Sequence, residues 1–121
     1  MNFLRRISIV CVASLLSCLV LISLSTSVNA LEENAIFAGG CFWCLEHDLE
    51  KLDGVVSAES GYSGGDLITP TYENHSGHQE VVKVSFDSDV ISYKELLNQY
   101  WVNIDPFDNK GQFCDRGDSY K

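Results

Sequence analysis

The sequence predicts an α+β domain, a ferredoxin-like sandwich in the order β-α-β-β-α, and three observations predict it. Residues 79–87, QEVVKVSFD, alternate with a period of two. Residues 92–104, SYKELLNQYWVNI, carry apolar side chains at helical spacing. An apolar run closed by two glycines, NAIFAGG at 34–40, leads directly into a second amphipathic stretch. With 121 residues, 45% hydrophobic and 21% charged, the chain holds one small domain.

The first 30 residues stand apart from that domain. Arg5 and Arg6 precede an uncharged apolar run from Ile7 to Leu24, then a polar Ser-Thr-Ser, then the small-residue ending Val28-Asn29-Ala30. This is the pattern of a signal peptide cut after Ala30, which makes residues 31–121 an exported domain, periplasmic or secreted. An uncleaved anchor is the alternative, since the apolar run is close to the minimum that spans a bilayer. Within 31–121, NAIFAGG reads as a buried strand ending in a tight turn. Phe42, Leu45, Leu49 and Leu52 then share one helical face, and Asp53-Gly54 ends the helix. VVSAESGY (55–62) reads as a second strand, and Gly61, Gly64, Gly65, Asp66 and Pro70 mark a long loop to about Gly77. In 79–87, Val82, Val84 and Phe86 point one way and Val81, Lys83 and Ser85 the other. The last helix has Ser92 as its cap, Glu95 at the capping-box position, and Leu96, Leu97, Tyr100 and Trp101 on its apolar side. No strand follows in DPFDNKGQFCDRGDSYK, so the sandwich is expected to lack its closing strand, to be incomplete at its C-terminus, and to have low stability.

Charge and cysteine count narrow the function. All 17 acidic residues lie beyond Ala30 with only six of the eight basic ones, so the domain is more acidic than the whole chain's −9 and nucleic acid is excluded as a partner. Cys11 and Cys18 belong to the leader, which leaves Cys41, Cys44 and Cys114. An odd count in an oxidising compartment points to a reactive thiol rather than a structural disulfide framework.

Cys41 stands between Gly39-Gly40 and the first turn of a helix, where unpaired backbone N–H groups and the helix dipole favour a thiolate. Cys44 lies one turn on, close enough to attack a sulfur species formed on Cys41. Inert packing of both thiols is the plain alternative. A zinc site would need further ligands from Cys114, His47, His75 and His78, whose spacing fits no familiar zinc pattern, and no metal is expected.

AIFAGGCFWCLE resembles the signature of the A-type peptide methionine sulfoxide reductases, Gly-Cys-Phe-Trp. GVVSAESGYSGG, PTYEN, GHQEVVKVSFD, ISYKELLNQYWVNIDP and GQFCDRGDSYK resemble successive blocks of the same family, over residues 34–121. The resemblance implies reduction of methionine S-sulfoxide, free or protein-bound, in the repair of oxidised proteins. It implies Cys41 as nucleophile, Glu80 as the proton donor, Tyr72 and Tyr120 as hydrogen-bond donors to the sulfoxide oxygen, and Asp115 as a further active-site residue. Phe42 and Trp43 then hold the substrate methyl group. Cys44 or Cys114 resolves the Cys41 sulfenic acid as a disulfide, and thioredoxin or an equivalent thiol reductant restores the dithiol. No bound cofactor, no membrane contact after leader cleavage, and a monomer are expected. The loop between Tyr72 and Glu80 is shorter than in that family. Read as bare residues, Glu80 is a solvated strand-end charge, and Phe42, Trp43 and the tyrosines are core or loop packing. Two other functions fit an exported C-x-x-C. A thioredoxin-like disulfide oxidoreductase is one, although Trp43 lies between the cysteines rather than before them. A non-catalytic binding module held by a single bridge is the other.

Overall fold

The computed structural model describes residues 31–121. The signal peptide assigned to residues 1–30, its cleavage point and its bearing on export lie outside the described residues. The elements are β1 (Glu32–Phe37), α1 (Phe42–Leu49), β2 (Val55–Ser63), β3 (Gln79–Asp87) and α2 (Tyr93–Val102), in the expected order. Two short strands, β4 (Gly111–Gln112) and β5 (Asp115–Arg116), then pair as a hairpin, and a 3-10 turn covers Asp118–Tyr120.

β3 lies between β1 and β2 and is antiparallel to both, so β1 and β2 run parallel with α1 as their crossover. Burial on both faces marks its central place: Val82, Val84 and Phe86 are at most 1% exposed, and only Lys83 is exposed along the strand. Phe37 and Ala35 face Val82 and Val84 across β1, and Ala58 faces Val84 across β2. Against this surface α1 sets Phe42, Leu45 and Leu49, and α2 sets Leu96. Each such buried side chain contributes roughly 1.5–3 kcal/mol of apolar transfer. Among the described residues no fourth strand pairs with β1.

Several boundaries differ from expectation for local reasons. β1 starts two residues early because Glu32 and Glu33 pair with Asp87 and Phe86. α1 stops at Leu49; Leu52 still reaches the core, but from a turn whose N–H bonds to the Leu49 carbonyl at 3.1 Å. Val81, assigned to the far face of the sheet, is also buried, whereas Trp101, assigned to the apolar side of α2, is half exposed. The α2 cap is as read: the Ser92 side chain accepts from Glu95 N–H and the Glu95 carboxylate accepts from Ser92 N–H. One side chain ties α1 to the sheet rim. Glu46 Oε2 accepts the Ser60 N–H at 3.1 Å and also the Ser60 hydroxyl.

Candidate active site

Cys41 is the N-cap of α1, and its carbonyl accepts from Cys44 N–H at 3.1 Å and Leu45 N–H at 3.2 Å. The turn before it needs glycine: Gly40 has φ +82°, and a Cβ there would lie 2.4 Å from Gln112 Cβ. Gln112 is itself buried and clamps Asp105, accepting its N–H at 2.7 Å and donating to its carbonyl at 2.9 Å. The β4–β5 hairpin is thereby held against the turn that presents Cys41.

Cys44 Sγ–H donates to Cys41 Sγ at 2.9 Å. That bond first, and burial second, push the Cys44 thiol up to about 11. The proton of the pair therefore stays on Cys44, directed at the Cys41 sulfur. Both open onto a cavity of about 290 Å³ that Cys114, Asp48 and Asp115 also line. Cys114 is exposed, on the loop that joins β4 to β5.

Glu80 is 2% exposed, buried rather than the solvated strand-end charge of its bare reading. Phe42 N–H, the first free donor of α1, bonds to its Oε2 at 3.2 Å, while Oε1 is buried without a partner among the described residues. Burial raises the carboxyl above the usual range and outweighs the Phe42 N–H, His75 and Tyr120, which favour the carboxylate. The result is a carboxyl that gives up its proton less readily than an exposed one, with one oxygen free of protein partners among the described residues.

Tyr62 was not among the residues singled out from the sequence, yet it stands opposite Glu80 in the β2–β3 register. Its hydroxyl is buried and unpartnered, and burial, then the Glu80 charge, raise its pKa. The sequence does hold a signal for it: a tyrosine ending a strand that pairs with the strand opened by Glu80. Tyr120 reaches the same carboxyl from the 3-10 turn, with its pKa raised by burial first and by Glu80 next. Tyr72 is half exposed instead and stacks on Trp43, with ring centroids 5.2 Å apart. Trp43 in turn leans on Phe42 at 5.0 Å, so Phe42, Trp43 and Tyr72 form an aromatic wall beside the thiols. Asp115, on β5, lies near enough to raise the pKa values of Cys44, Glu80 and Tyr120. Among the described residues no group of three or more His, Cys, Asp or Glu side chains is placed to hold a metal ion.

Fold and site define the class: a split β-α-β domain with two adjoining cysteines at a helix start, near a buried carboxyl and two phenols. Residues 33–121 match the peptide methionine sulfoxide reductase family, and the chain belongs to that family. It is 53% identical over 93 residues to peptide methionine sulfoxide reductase MsrA 2 of Caulobacter vibrioides, covering 74% of this chain and 47% of that protein. It is 52% identical over 94 residues to the MsrA of Ligilactobacillus salivarius, covering 74% and 55%. Among solved structures, methionine sulfoxide reductase A of Corynebacterium diphtheriae superposes with a TM-score of 0.71 at 27% identity, over 78% of this chain and 46% of that one. Reduced Mxr1 of Saccharomyces cerevisiae gives 0.69 at 28% identity, over 82% and 61%. The chain spans about half the length of the curated relatives it matches.

Proposed function

We propose that this chain reduces methionine S-sulfoxide, free or in oxidised proteins, at Cys41. The observation that carries the reading is the convergence on one helix start: Cys41 caps α1, Cys44 holds the pair's proton, and the first N–H of the same helix anchors Glu80. In the reaction the Cys41 thiolate attacks the sulfoxide sulfur while Glu80 delivers a proton to the sulfoxide oxygen from its unpartnered Oε1. The phenols of Tyr62 and Tyr120 donate hydrogen bonds to that oxygen as charge develops on it. Collapse passes the hydroxyl to Cys41 sulfur and releases methionine, so the substrate gains two electrons and Cys41 becomes a sulfenic acid. Phe42, Trp43 and Tyr72 offer an apolar wall for the substrate methyl group.

Cys44 resolves the sulfenic acid. Its sulfur is already 2.9 Å from Cys41, and its attack on the sulfenic sulfur forms the disulfide while the Cys44 thiol proton leaves with the hydroxyl as water. Cys114 opens onto the same cavity and is the second candidate. A dithiol reductant, thioredoxin or an exported equivalent, then takes the bridge apart. The leader pattern of residues 1–30 supports an exported, periplasmic or secreted enzyme, acting as a monomer without a bound cofactor.

The test is turnover of S and R epimers of a methionine sulfoxide peptide with dithiothreitol, by the chain and by Cys41→Ser. S-selective reduction lost in C41S is the expected result. Folded protein with no activity toward either epimer overturns the reading in favour of a binding module.

A further inference from the structure

His75 approaches the site closely but has no part in the chemistry above. It comes from the loop between β2 and β3, which a short bridge closes: Thr71 N–H donates to the Asn74 carbonyl at 2.9 Å, and Asn74 N–H returns to the Thr71 carbonyl at 3.1 Å. The His75 carbonyl accepts from His78 N–H at 2.9 Å, and His75 Nδ1 lies 3.1 Å from the Thr71 carbonyl oxygen. A carbonyl only accepts, so Nδ1 carries the proton in the neutral ring. Backbone and ring are both pinned. The imidazole lies nearly flat on the Tyr62 ring, with centroids 4.8 Å apart and planes 18° apart, and leans on Tyr72 at 6.3 Å. The face of Tyr62 is thus covered by His75, and Phe42 packs against it with centroids 5.5 Å apart and planes tilted by 56°.

We propose that His75 is a positioning residue for the oxygen-binding end of the site: by stacking on Tyr62 it holds the phenol so that its hydroxyl stays buried beside Glu80. The proposal rests on the reductase reading and assigns this loop a role in it. Protonation adds a second effect. The groups facing Glu80 are Phe42 N–H from α1, Tyr62 from β2, Asp115 from β5, Tyr120 from the 3-10 turn and His75 from the loop. His78 lies two residues upstream, buried beneath Gly65. Asp115 opposes ionisation of Glu80, whereas a charged His75 favours it. Positive charge at His75 therefore lowers the Glu80 pKa and leaves less of that carboxyl protonated, while a cation on the Tyr62 face strengthens that phenol as a donor.

The experiment is a double-mutant cycle of His75→Ala with Tyr62→Phe, read as kcat and KM for an S-sulfoxide peptide, with His75→Phe as the ring-preserving variant. H75A is expected to lower kcat by about 10- to 100-fold with KM changed little, because a misplaced group acts on the transition state. H75F restores most of that loss, and in the Y62F background H75A costs less than about twofold. His75→Gln, which keeps a donor for Thr71 but removes the stack, replaces H75A if the alanine variant does not fold. Independently of activity, carboxyl-carbon NMR of the substrate-free protein should show Glu80 titrating at higher pH in H75F than in wild type. The same loss from H75A with and without Tyr62, or a Glu80 titration unmoved in H75F, overturns the proposal. Activity surviving in C41S would overturn the reductase reading instead, and the NMR comparison separates the two.

Discussion

Replacing Glu80 by glutamine removes the proposed proton donor and leaves most of its packing. The amide has nearly the same shape, and its oxygen still accepts the Phe42 N–H that Glu80 Oε2 now receives at 3.2 Å. What disappears is the acidic proton on the buried, unpartnered oxygen. A positioned general acid contributes about 100- to 10,000-fold, or roughly 3–5 kcal/mol of barrier. E80Q is therefore expected to lower kcat by that range with the fold intact, measured as single-turnover methionine release from an S-sulfoxide peptide. Stability gives a second readout of opposite sign. Burial raises the folded-state pKa of Glu80 above its unfolded value. Its contribution is thus fully present below the unfolded carboxyl pKa, about 4.3, and is lost as pH rises through the folded one. E80Q has no such loss, so its unfolding free energy should gain on wild type from pH 4 to pH 8 in urea titrations. Activity within a few fold of wild type would refute the assignment of Glu80 as acid, and a stability difference independent of pH would refute its burial as the cause.

Three further outcomes follow from the same geometry. At pH 8, iodoacetamide should label Cys41 and the exposed Cys114 but spare Cys44, and in C41S Cys44 should become reactive because the sulfur that holds its proton is gone; peptide mapping with equal Cys44 labelling in both proteins would contradict this. Gly40→Ala places a side chain at φ +82° against Gln112 and breaks that residue's hold on Asp105, a cost of roughly 2–4 kcal/mol in urea unfolding together with lost activity. Ser92→Ala should destabilise by about 1 kcal/mol without changing kcat, since the α2 cap is remote from the thiols, as thermal unfolding and turnover together would check.

The fold was legible because its main elements are amphipathic in their own right. β3 and α2 announce themselves by period and cap, and the glycine turn before Cys41 marks the start of α1. Val81 and Trp101 were misplaced because alternation assigns a face, not what covers it. The β4–β5 hairpin was invisible: two-residue strands have no period, and what holds them is Gln112 reaching across to Asp105. The site was legible where a residue type is chemically loud, as with the cysteines and Glu80. Tyr62 was missed, because which side chains stand opposite the acid depends on strand register. Tyr72 sits in the bridge-closed loop and turns to the rim, whereas Tyr62 is carried by β2 to the buried end of β3.

The two rims of the sheet are not equivalent. Glu46 occupies the outer side of β2 at Ser60 and takes the hydrogen bond that an incoming strand would need there. The outer side of β1 has no strand partner among the described residues. Among the described residues the outer side of β1 is therefore the rim that no side chain of α1 guards in this way, and it is where a polypeptide could dock by backbone hydrogen bonds. Contact between two copies through that rim is isologous and ends at a pair related by a twofold axis.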